Sequence, residues 1–435
     1  MKFINTLKDI FKIEELKNKI LLTIGLIAVY RFMAAVPLPG IDPLQLSALK
    51  ESTSGGLLGL LNAFTGGAFA RASVMALGIM PYISASIVVQ LMGIAVPYLQ
   101  KLQKDGESGR KKITQITRWL TIGITLVQAP TYITAIKTQF NLPPEAFLVS
   151  GITFWISSII ILTAGTIFAM WLGERITDKG IGNGISLLIT VGIIANFPAA
   201  FLQEFLSKTE NAGAGGLMMV LIEIIVWFVV ILLTVLLVTA VRKIAVQYAR
   251  RTVAGSTQNV AGSRDYIPLK LNAAGVMPII FAQAIMFLPL ALGQKFPILV
   301  GLTDPNGWQY NVIFAILIII FSYFYTAITI PTNKMAEDLK RSGGFIPGIR
   351  PGKDTADRLD SVLSRITFPG SLFLAGLSIL PAIVVQFGVQ QGWSMFYGGT
   401  SLIIMVGVAI DTIQQINSYL LNNHYDGLMK PGNSN

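Results

Sequence analysis

Few residues of this chain could do chemistry in an apolar environment. Arg31, Glu223 and Asp411 are the ionisable residues within its long apolar stretches. Ionisable groups held near the middle of a membrane usually mark a path for ions or small solutes. Here Glu223 and Asp411 each lie near one end of their stretch, and Arg31 lies where its long side chain can snorkel outward. We therefore expect structural roles for all three residues.

The chain also lacks the residues needed for metal binding and for nucleophilic catalysis. The chain has no cysteine, which excludes disulfides and thiolate sites, and its one histidine, His424, cannot make a histidine-based metal cluster. No Walker motif for nucleotides occurs. The apolar stretches contain no paired acids, no histidine cluster and no Ser–His pair. We expect no cofactor and no metal, and we do not expect an enzyme.

The composition is typical of a membrane protein. Hydrophobic residues make up 53% of the chain and charged residues 13%, against about 25% charged residues in soluble domains. A helix that crosses a bilayer needs about 20 apolar residues. The predicted fold class is an all-α polytopic membrane protein with ten transmembrane helices. The ten segments lie at about 20–36, 74–96, 119–136, 153–172, 184–201, 217–241, 272–291, 310–330, 367–387 and 395–416.

The lysines and arginines predict the orientation of these helices. An even number of helices puts both termini on one side, and cytoplasmic loops carry an excess of Lys and Arg. With both termini cytoplasmic, 27 of the 33 lysines and arginines fall on the inner side. Two of the inner connections, 242–271 and 331–366, are polar, basic and rich in glycine. We interpret them as long cytoplasmic loops that are too extensive to be simple turns.

An outer stretch between the first two segments is unusual. Residues 55–70 read GGLLGLLNAFTGGAFA, which is apolar but too short and too rich in glycine to cross a bilayer. Irregular backbone is tolerated at membrane depth where it is buried in protein and not in lipid. We therefore expect a re-entrant half-helix at this position.

Two phrases of the sequence each occur twice. GIMPYISASIV at 78–88 returns as GVMPIIFAQAI at 275–285, and GISLLITVGI at 184–193 returns as GTSLIIMVGV at 399–408. In both cases the copies lie five predicted helices apart. The common offset favours a duplication over chance similarity between apolar helices.

A duplication predicts two five-helix halves, residues 1–210 and 211–435. An odd number of helices per half inverts the second copy in the membrane, and inverted repeats build a path near the midplane. The first half would include the re-entrant stretch 55–70, and the second would carry the two long cytoplasmic loops.

The repeats also pair four isoleucines, Ile83 with Ile280 and Ile189 with Ile404. Isoleucines that face one another would form a hydrophobic constriction, which blocks ions by dewetting. Such a constriction imposes no ligand geometry, so it can yield to a wide and chemically varied cargo. The same isoleucines could be ordinary packing residues, and the sequence leaves both interpretations open.

Longer motifs point to one family. The chain closely resembles the SecY family, the central subunit of the bacterial Sec protein translocon. The matching stretches, in the family's order, are VPLPGID (36–42), RASVMALGIMPYISASIVVQLM (71–92), GESGRKK (106–112), MWLGERITDKGIGNGIS (170–186), IPLKLNAAGVMPIIFA (267–282), FIPGIRPG (345–352) and YGGTSLIIMV (397–406).

The resemblance implies two five-helix halves around an hourglass pore, with an apolar ring, a plug and a lateral gate between helices 2–3 and 7–8. By motif, the pore ring falls on Ile79, Ile83, Ile185, Ile189, Ile280 and Ile404. The plug falls on the stretch 55–70, with Leu57, Leu58, Leu60, Leu61, Asn62, Phe64, Thr65, Gly66 and Gly67. Candidate gate residues are Ser84, Gln90, Gln128, Asn272 and Leu288.

The resemblance also implies partners. These are the small membrane subunits SecE and SecG, the motor ATPase SecA, the ribosome, signal sequences and nascent polypeptides, and membrane lipid. The candidate partner-binding residues in the inner loops are Arg242, Lys243, Arg250, Arg251, Arg350 and Lys353. The tip of the first loop, TVAGSTQNVAGSRDY, carries only Arg264 where relatives often have more basic residues. Ribosome contact through that loop is therefore less strongly predicted than contact through Arg350.

The expected function is a passive protein-conducting channel, driven by a partner ATPase or the ribosome. It would translocate secretory polypeptides across the bacterial cytoplasmic (inner) membrane and insert membrane proteins laterally into it. The alternative is an inverted-repeat secondary transporter of a small solute, which is disfavoured because mid-membrane charges are absent. An intramembrane enzyme is disfavoured because its catalytic residues are absent.

Overall fold

The computed structural model describes residues 13–46, 59, 62–138, 146–149, 151–211, 216–248, 264–292 and 306–429. Within these residues helices dominate, with one short 3-10 turn at Pro43–Gln45. The α-helices are α1 (Glu14–Ala35), α2 (Met80–Ala95), α3 (Pro97–Lys104), α4 (Gly106–Thr138), α5 (Ile152–Lys179), α6 (Gly184–Asn211), α7 (Gly216–Thr239), α8 (Met277–Leu292), α9 (Trp308–Thr329), α10 (Thr332–Arg341), α11 (Lys353–Gln386), α12 (Gln391–Ser394) and α13 (Gly399–Met429). The strands are β1 (Val241–Tyr248), β2 (Arg264–Lys270) and β3 (Gly344–Phe345).

Each of the ten predicted segments contains a helix, so the chain is a helical protein with multiple membrane spans. Among the described residues, eight helices are long and apolar enough to cross a membrane, namely α1, α4, α5, α6, α7, α9, α11 and α13. The bent pair α2 and α3 is a ninth candidate. The bend lies at Val96, whose backbone is extended because the following Pro97 disfavours helical geometry at that position. The remaining helix, α8, has 16 residues, which is short for a span but compatible with the expected ten.

Both copies of the first repeated phrase begin a helix in the same way. Hydropathy places these helices at 74–96 and 272–291, but α2 begins at Met80 and α8 at Met277. Turns precede both helices, and a glycine with positive φ lies two residues before each start, Gly78 at 53° and Gly275 at 62°. Positive φ is costly for residues with a side chain, so glycine suits this turn.

The prolines of this phrase also have a common position. Pro81 and Pro278 are the second residues of α2 and α8. A proline is tolerated in the first turn because the amide hydrogen it lacks would have no partner there. The phrase is therefore a signal for a turn followed by a helix start.

The second repeated phrase also marks helix starts. α6 begins at Gly184 and α13 at Gly399, the first residues of the two copies. The isoleucines five residues on, Ile189 and Ile404, are 6% and 5% exposed. The repeats thus recur as local structure, while their origin in a duplication stays a prediction.

The chain divides into two compact units. Unit 1 comprises Met1–Glu210, Gln390–Trp393 and Val408–Asn435, and unit 2 comprises Asn211–Val389 and Ser394–Gly407. Unit 1 therefore includes the second part of α13 in addition to the first five predicted segments. A core cluster of unit 1 joins the residues around Leu38 and Phe69 to α4 and α5 through Tyr132, Ile133, Phe154 and other side chains.

Unit 2 contains a small folded module where the sequence predicts long loops. β1 pairs with β2 in antiparallel register, from Val241 opposite Lys270 to Gln247 opposite Arg264, and β3 pairs with the other edge of β1. With α10 and the start of α11, this sheet encloses a core of Val246, Leu339, Ile346 and Leu359.

The described residues of 242–271 and 331–366 thus form mostly strands and helices, while the placement of these connections in the cytoplasm stays a prediction. α11 begins at Lys353, well before the predicted apolar segment at 367. The charged side chains of these stretches whose burial is described are exposed, and Gly343, Gly348 and Gly352 have positive φ. The apolar residues of the module alternate along β1, so they meet on one face of the sheet.

Candidate functional site

The described part of the stretch expected to be a re-entrant half-helix is mostly turns. Apart from Gly59, this described part lies at 62–70, and with the adjoining Arg71 it forms a decapeptide, 62–71, here called the turn segment. Residues 62–64 are helical, residues 65–70 form turns, and residues 63–70 are buried. The helix stops because Gly66 and Gly67 have φ values of 66° and 84°, which right-handed helix does not allow.

Leu57, Leu58, Leu60 and Leu61, also assigned to the plug, lie outside the described residues. The half-helix prediction is thus wrong for the part of the stretch that the structure describes, although its burial within protein is as expected.

Hydrogen bonds within the turn segment replace those of a helix. The Asn62 side-chain oxygen accepts a bond from the Ala70 amide at 3.0 Å, and the Asn62 carbonyl accepts one from the Gly67 amide at 2.8 Å. The Thr65 hydroxyl accepts a bond from the Phe69 amide at 3.2 Å. Buried backbone groups need such partners, since an unpaired one is costly. The segment is therefore a compact unit held together by its own polar groups.

Two surrounding helices also donate hydrogen bonds to the turn segment. The Arg31 guanidinium of α1 donates to the Gly66 carbonyl at 2.9 Å. The Tyr132 hydroxyl of α4 donates to the Phe69 carbonyl at 2.8 Å, and the bond is buried. Arg31, for which a structural role was expected, has a half-buried guanidinium that is bound to the segment.

A third helix approaches the segment backbone to backbone. A Cβ atom added at Gly192 of α6 would lie 2.8 Å from the Phe64 carbonyl oxygen and 3.0 Å from the Gly66 nitrogen. One added at Gly66 would lie 2.9 Å from the Gly192 Cα and would also meet the Arg31 guanidinium. Small residues allow such close approach between elements in membrane proteins. Both positions therefore require glycine for the segment to fit.

The isoleucines expected to line a pore lie at helix starts in both units. In unit 1, Ile79 immediately precedes α2, Ile83 is the fourth residue of α2, and Ile185 and Ile189 are the second and sixth residues of α6. Ile79 and Ile189 are buried, whereas Ile83 and Ile185 are half-buried. These four residues all belong to unit 1.

Unit 2 repeats the arrangement with two isoleucines. Ile280 is the fourth residue of α8 and is half-buried, and Ile404 is the sixth residue of α13 and is buried. The repeat partners Ile83 and Ile280 thus have the same helix position, as do Ile189 and Ile404. Their assignment to a pore ring stays a prediction.

The candidate gate residues lie on separate elements. Ser84 and Gln90 lie on α2, and Gln128 lies on α4, all three half-buried. The Gln90 amide donates to Ser86 of its own helix at 3.3 Å. Asn272 lies in the turn before α8, where its side-chain oxygen is buried without a hydrogen-bond partner. Leu288 belongs to α8, but its side chain lies outside the description, and the gate stays a prediction.

Arg350 is presented by the module of unit 2. Its side chain is exposed, and it lies between Gly348 and Gly352, which have φ values of 80° and 111°. The Thr355 hydroxyl donates to the Arg350 carbonyl at 2.8 Å and so fixes the turn to the start of α11. The exposed cations Arg242 and Lys243 on β1 and Lys353 on α11 belong to the same module. Arg250 and Arg251 lie outside the described residues.

The two other ionisable residues of the apolar stretches differ in environment. Glu223 of α7 is buried, and its backbone carbonyl accepts a hydrogen bond from the Tyr397 hydroxyl at 2.8 Å. Asp411 of α13 is exposed. Within the described ranges, no group of three or more His, Asp or Glu could hold a metal ion.

Sequence reasoning missed the contacts that hold the turn segment. Arg31 was noticed as a charge in an apolar stretch, and that signal could have suggested a buried partner for it. Tyr132 gave no signal, because a tyrosine in an apolar helix is common and its partner lies 63 residues away in sequence. Gly192 was noticed only as a matched position of the repeat.

The close approach at Gly192 gives a test. Gly192→Ala must displace the turn segment, since overpacking costs about 1–3 kcal/mol. The repeat partner Gly407 has open space around it, so Gly407→Ala is the matched control. The chain has no cysteine, so a single Ala70→Cys substitution reports on the buried segment without background. Its labelling by a water-soluble maleimide should accelerate about tenfold in the first variant and stay unchanged in the second. Equal labelling rates in both would contradict the contact.

Comparisons with known proteins identify the family. The SecY family model matches residues 73–413. The chain is 39% identical to the protein translocase subunit SecY of Bacillus subtilis and 38% identical to that of Aquifex aeolicus. In each case the match covers 98% of this chain and 99% of the relative.

Solved structures agree in fold. The structure of a protein-conducting channel matches this chain with a TM-score of 0.62 and 19% sequence identity. A SecY structure concerned with the plug domain matches it with a TM-score of 0.63 and 19% sequence identity. Each match covers 95% of this chain and 94% of the solved chain. Because the family model matches residues 73–413 and the relatives match over nearly the full length of the chain, this chain belongs to the SecY family.

Proposed function

We propose that this chain is a channel subunit that conducts secretory polypeptides across the membrane and releases apolar segments sideways into it. The relatives of similar sequence are named as protein translocase subunits. The observation that carries the proposal is the placement of paired isoleucines at equal positions of repeated helix starts, the fourth residues of α2 and α8 and the sixth residues of α6 and α13. A path built by repeats needs equivalent side chains at equivalent positions.

The proposed constriction is apolar. Ile79, Ile83, Ile185, Ile189, Ile280 and Ile404 form its ring. An apolar ring excludes water and therefore ions when it is closed. It can widen around any unfolded polypeptide, because it contains no polar group that must keep a ligand geometry. A solute transporter would need buried polar or charged ligands instead, so this alternative is not favoured.

The turn segment is the described part of the proposed plug, residues 55–70. In a related solved structure, the plug domain of SecY is described as stabilising the closed state and maintaining a membrane seal. Here the segment is internally bonded and its backbone lies against Gly192, which suits a unit that can leave and return intact. The proposed lateral gate comprises Ser84, Gln90, Gln128, Asn272 and Leu288. Interhelical hydrogen bonds in membranes contribute only about 0.6 kcal/mol each, so an apolar signal helix could separate such a seam.

The proposed location is the bacterial cytoplasmic membrane, with both termini in the cytoplasm. The inner side then carries 27 of the 33 lysines and arginines. The module of unit 2 would face the cytoplasm and dock the motor ATPase SecA or the ribosome, with SecE and SecG as companion subunits. A canine relative in fold, Sec61, is known from a ribosome–channel complex. The rigid placement of Arg350 between two glycine turns suits bidentate binding of carboxylates or phosphates.

The proposed function is tested by reconstitution. The protein is purified with its small membrane subunits, incorporated into vesicles, and supplied with a secretory protein, the motor ATPase and ATP. We expect the secretory protein to become protected from external protease only when motor and ATP are both present. Motor-independent uptake of a small solute, with no protection of the polypeptide, would favour the transporter instead.

The apolar ring predicts a leak when it is widened. Ile83→Gly combined with Ile280→Gly removes both members of one repeat pair and should raise the resting ion conductance of the reconstituted channel. The control is Ile160→Gly combined with Ile320→Gly, at exposed positions of α5 and α9. It carries the same helix penalty of about 1 kcal/mol per glycine. Conductance equal to that of the control would show that the isoleucines are packing residues.

The exposed tip of the module predicts a defect in motor coupling. Arg350→Glu reverses a charge on a solvated turn, so folding should change by less than about 0.5 kcal/mol. ATP-driven transport should fall at least about tenfold, the loss of one charge-assisted contact, while membrane assembly stays normal. Arg358→Glu, an exposed position on the first turns of α11, is the matched control. Full transport by the Arg350 variant would refute a docking role.

A further inference from the structure

The bonds from Arg31 and Tyr132 differ in kind from the other polar contacts described above for the turn segment. The bonds made by Asn62 and Thr65 lie within the segment and can move with it. The bonds to the Gly66 and Phe69 carbonyls come from α1 and α4, so they must break when the segment leaves. Both acceptors are backbone carbonyls in the turns, and the Phe69 carbonyl also accepts a bond from the Ala72 amide at 3.2 Å.

We propose that Arg31 and Tyr132 are positioning residues that form a two-point latch for the plug and set its resting balance between closed and open. This inference rests on the proposed role of the turn segment as a plug and deepens it. The latch holds the segment from two different helices, at carbonyls three residues apart. Neither donor need contact the polypeptide that passes.

The surroundings make both bonds effective. The Tyr132 ring packs edge-on against the Phe69 ring, with centroids 4.9 Å apart, so the hydroxyl is held in place by the side chain of its own acceptor residue. The Arg31 bond is charge-assisted, and such bonds are roughly twice as strong as neutral ones. Low polarity strengthens a made bond and penalises an unpaired group. The latch therefore favours the seated segment, and these two bonds must break for the segment to leave.

The test uses the full chain, purified with its associated subunits and reconstituted into planar bilayers. Tyr132→Phe removes only the hydroxyl, and Arg31→Met keeps an unbranched apolar chain without the donor. We expect the resting open probability to rise about tenfold in Tyr132→Phe and roughly 10- to 100-fold in Arg31→Met. Arg31→Lys keeps a charged donor and should retain most of the closure. The maleimide labelling of Ala70→Cys should rise in the same order.

The matched control is Thr125→Val on α4. It removes a fully buried hydroxyl that bonds the carbonyl of Thr121 in its own helix, at 2.7 Å. We expect its open probability and labelling rate to equal those of the unmodified channel. A rise equal to that of Tyr132→Phe would assign the effect to a general loosening of α4 and overturn the latch.

A chain without residues 57–69 separates the latch from the plug. Deletion should raise the resting conductance, and in this background Tyr132→Phe and Arg31→Met should have no further effect, because their acceptors are gone. If deletion leaves the conductance unchanged, the plug function itself fails. If deletion raises it but neither substitution in the intact chain does, the plug stands and the latch is refuted. A further rise on substitution in the deleted chain would also refute the latch.

Discussion

Backbone polar groups buried away from water must find partners within the protein, and this constraint governs the site. A segment made of turns is not a continuous part of a spanning helix, so its carbonyl and amide groups need other partners. In the turn segment, Asn62 and Thr65 supply the internal ones, and Arg31 and Tyr132 supply the external ones. The close approach of Gly66 and Gly192 lets the backbones touch without side chains between them. The segment is thereby buried without being built into a helix.

The repeated phrases have a structural meaning in this protein. Each copy builds a helix start, and it puts an isoleucine at the same position of the new helix. A glycine turn and an early proline fix the start of α2 and α8, and therefore the direction in which Ile83 and Ile280 project from their helices. Gly192 in one copy of the second phrase contacts the turn segment, whereas Gly407 in the other has open space. The two copies thus build the same helix start, and they differ at the glycine that contacts the turn segment in only one of them.

The sequence predicted the spans well and the irregular parts poorly, for physical reasons. Hydropathy cannot separate an apolar turn from an apolar helix, so the helices at 74–96 and 272–291 were begun too early. The sheet of unit 2 was missed because β1 and β2 carry several charged residues, and its core forms only when β1, α10 and α11 meet. The position of the turn segment could be predicted from its glycines. The contact made by Tyr132 could not be predicted, because it pairs with Phe69 across 63 residues and leaves no local pattern.

The central claim is that polypeptides pass between the paired isoleucines of the two repeats. Photo-crosslinking residues would replace Ile83, Ile189, Ile280 and Ile404 one at a time, with exposed Ile160 and Ile225 as controls. A secretory protein with a folded domain at its C-terminus would be stalled in mid-passage and irradiated. The account predicts crosslinks to the stalled chain from all four paired positions and from neither control. Crosslinks to lipid alone from the paired positions, or equal yields from the controls, would contradict it.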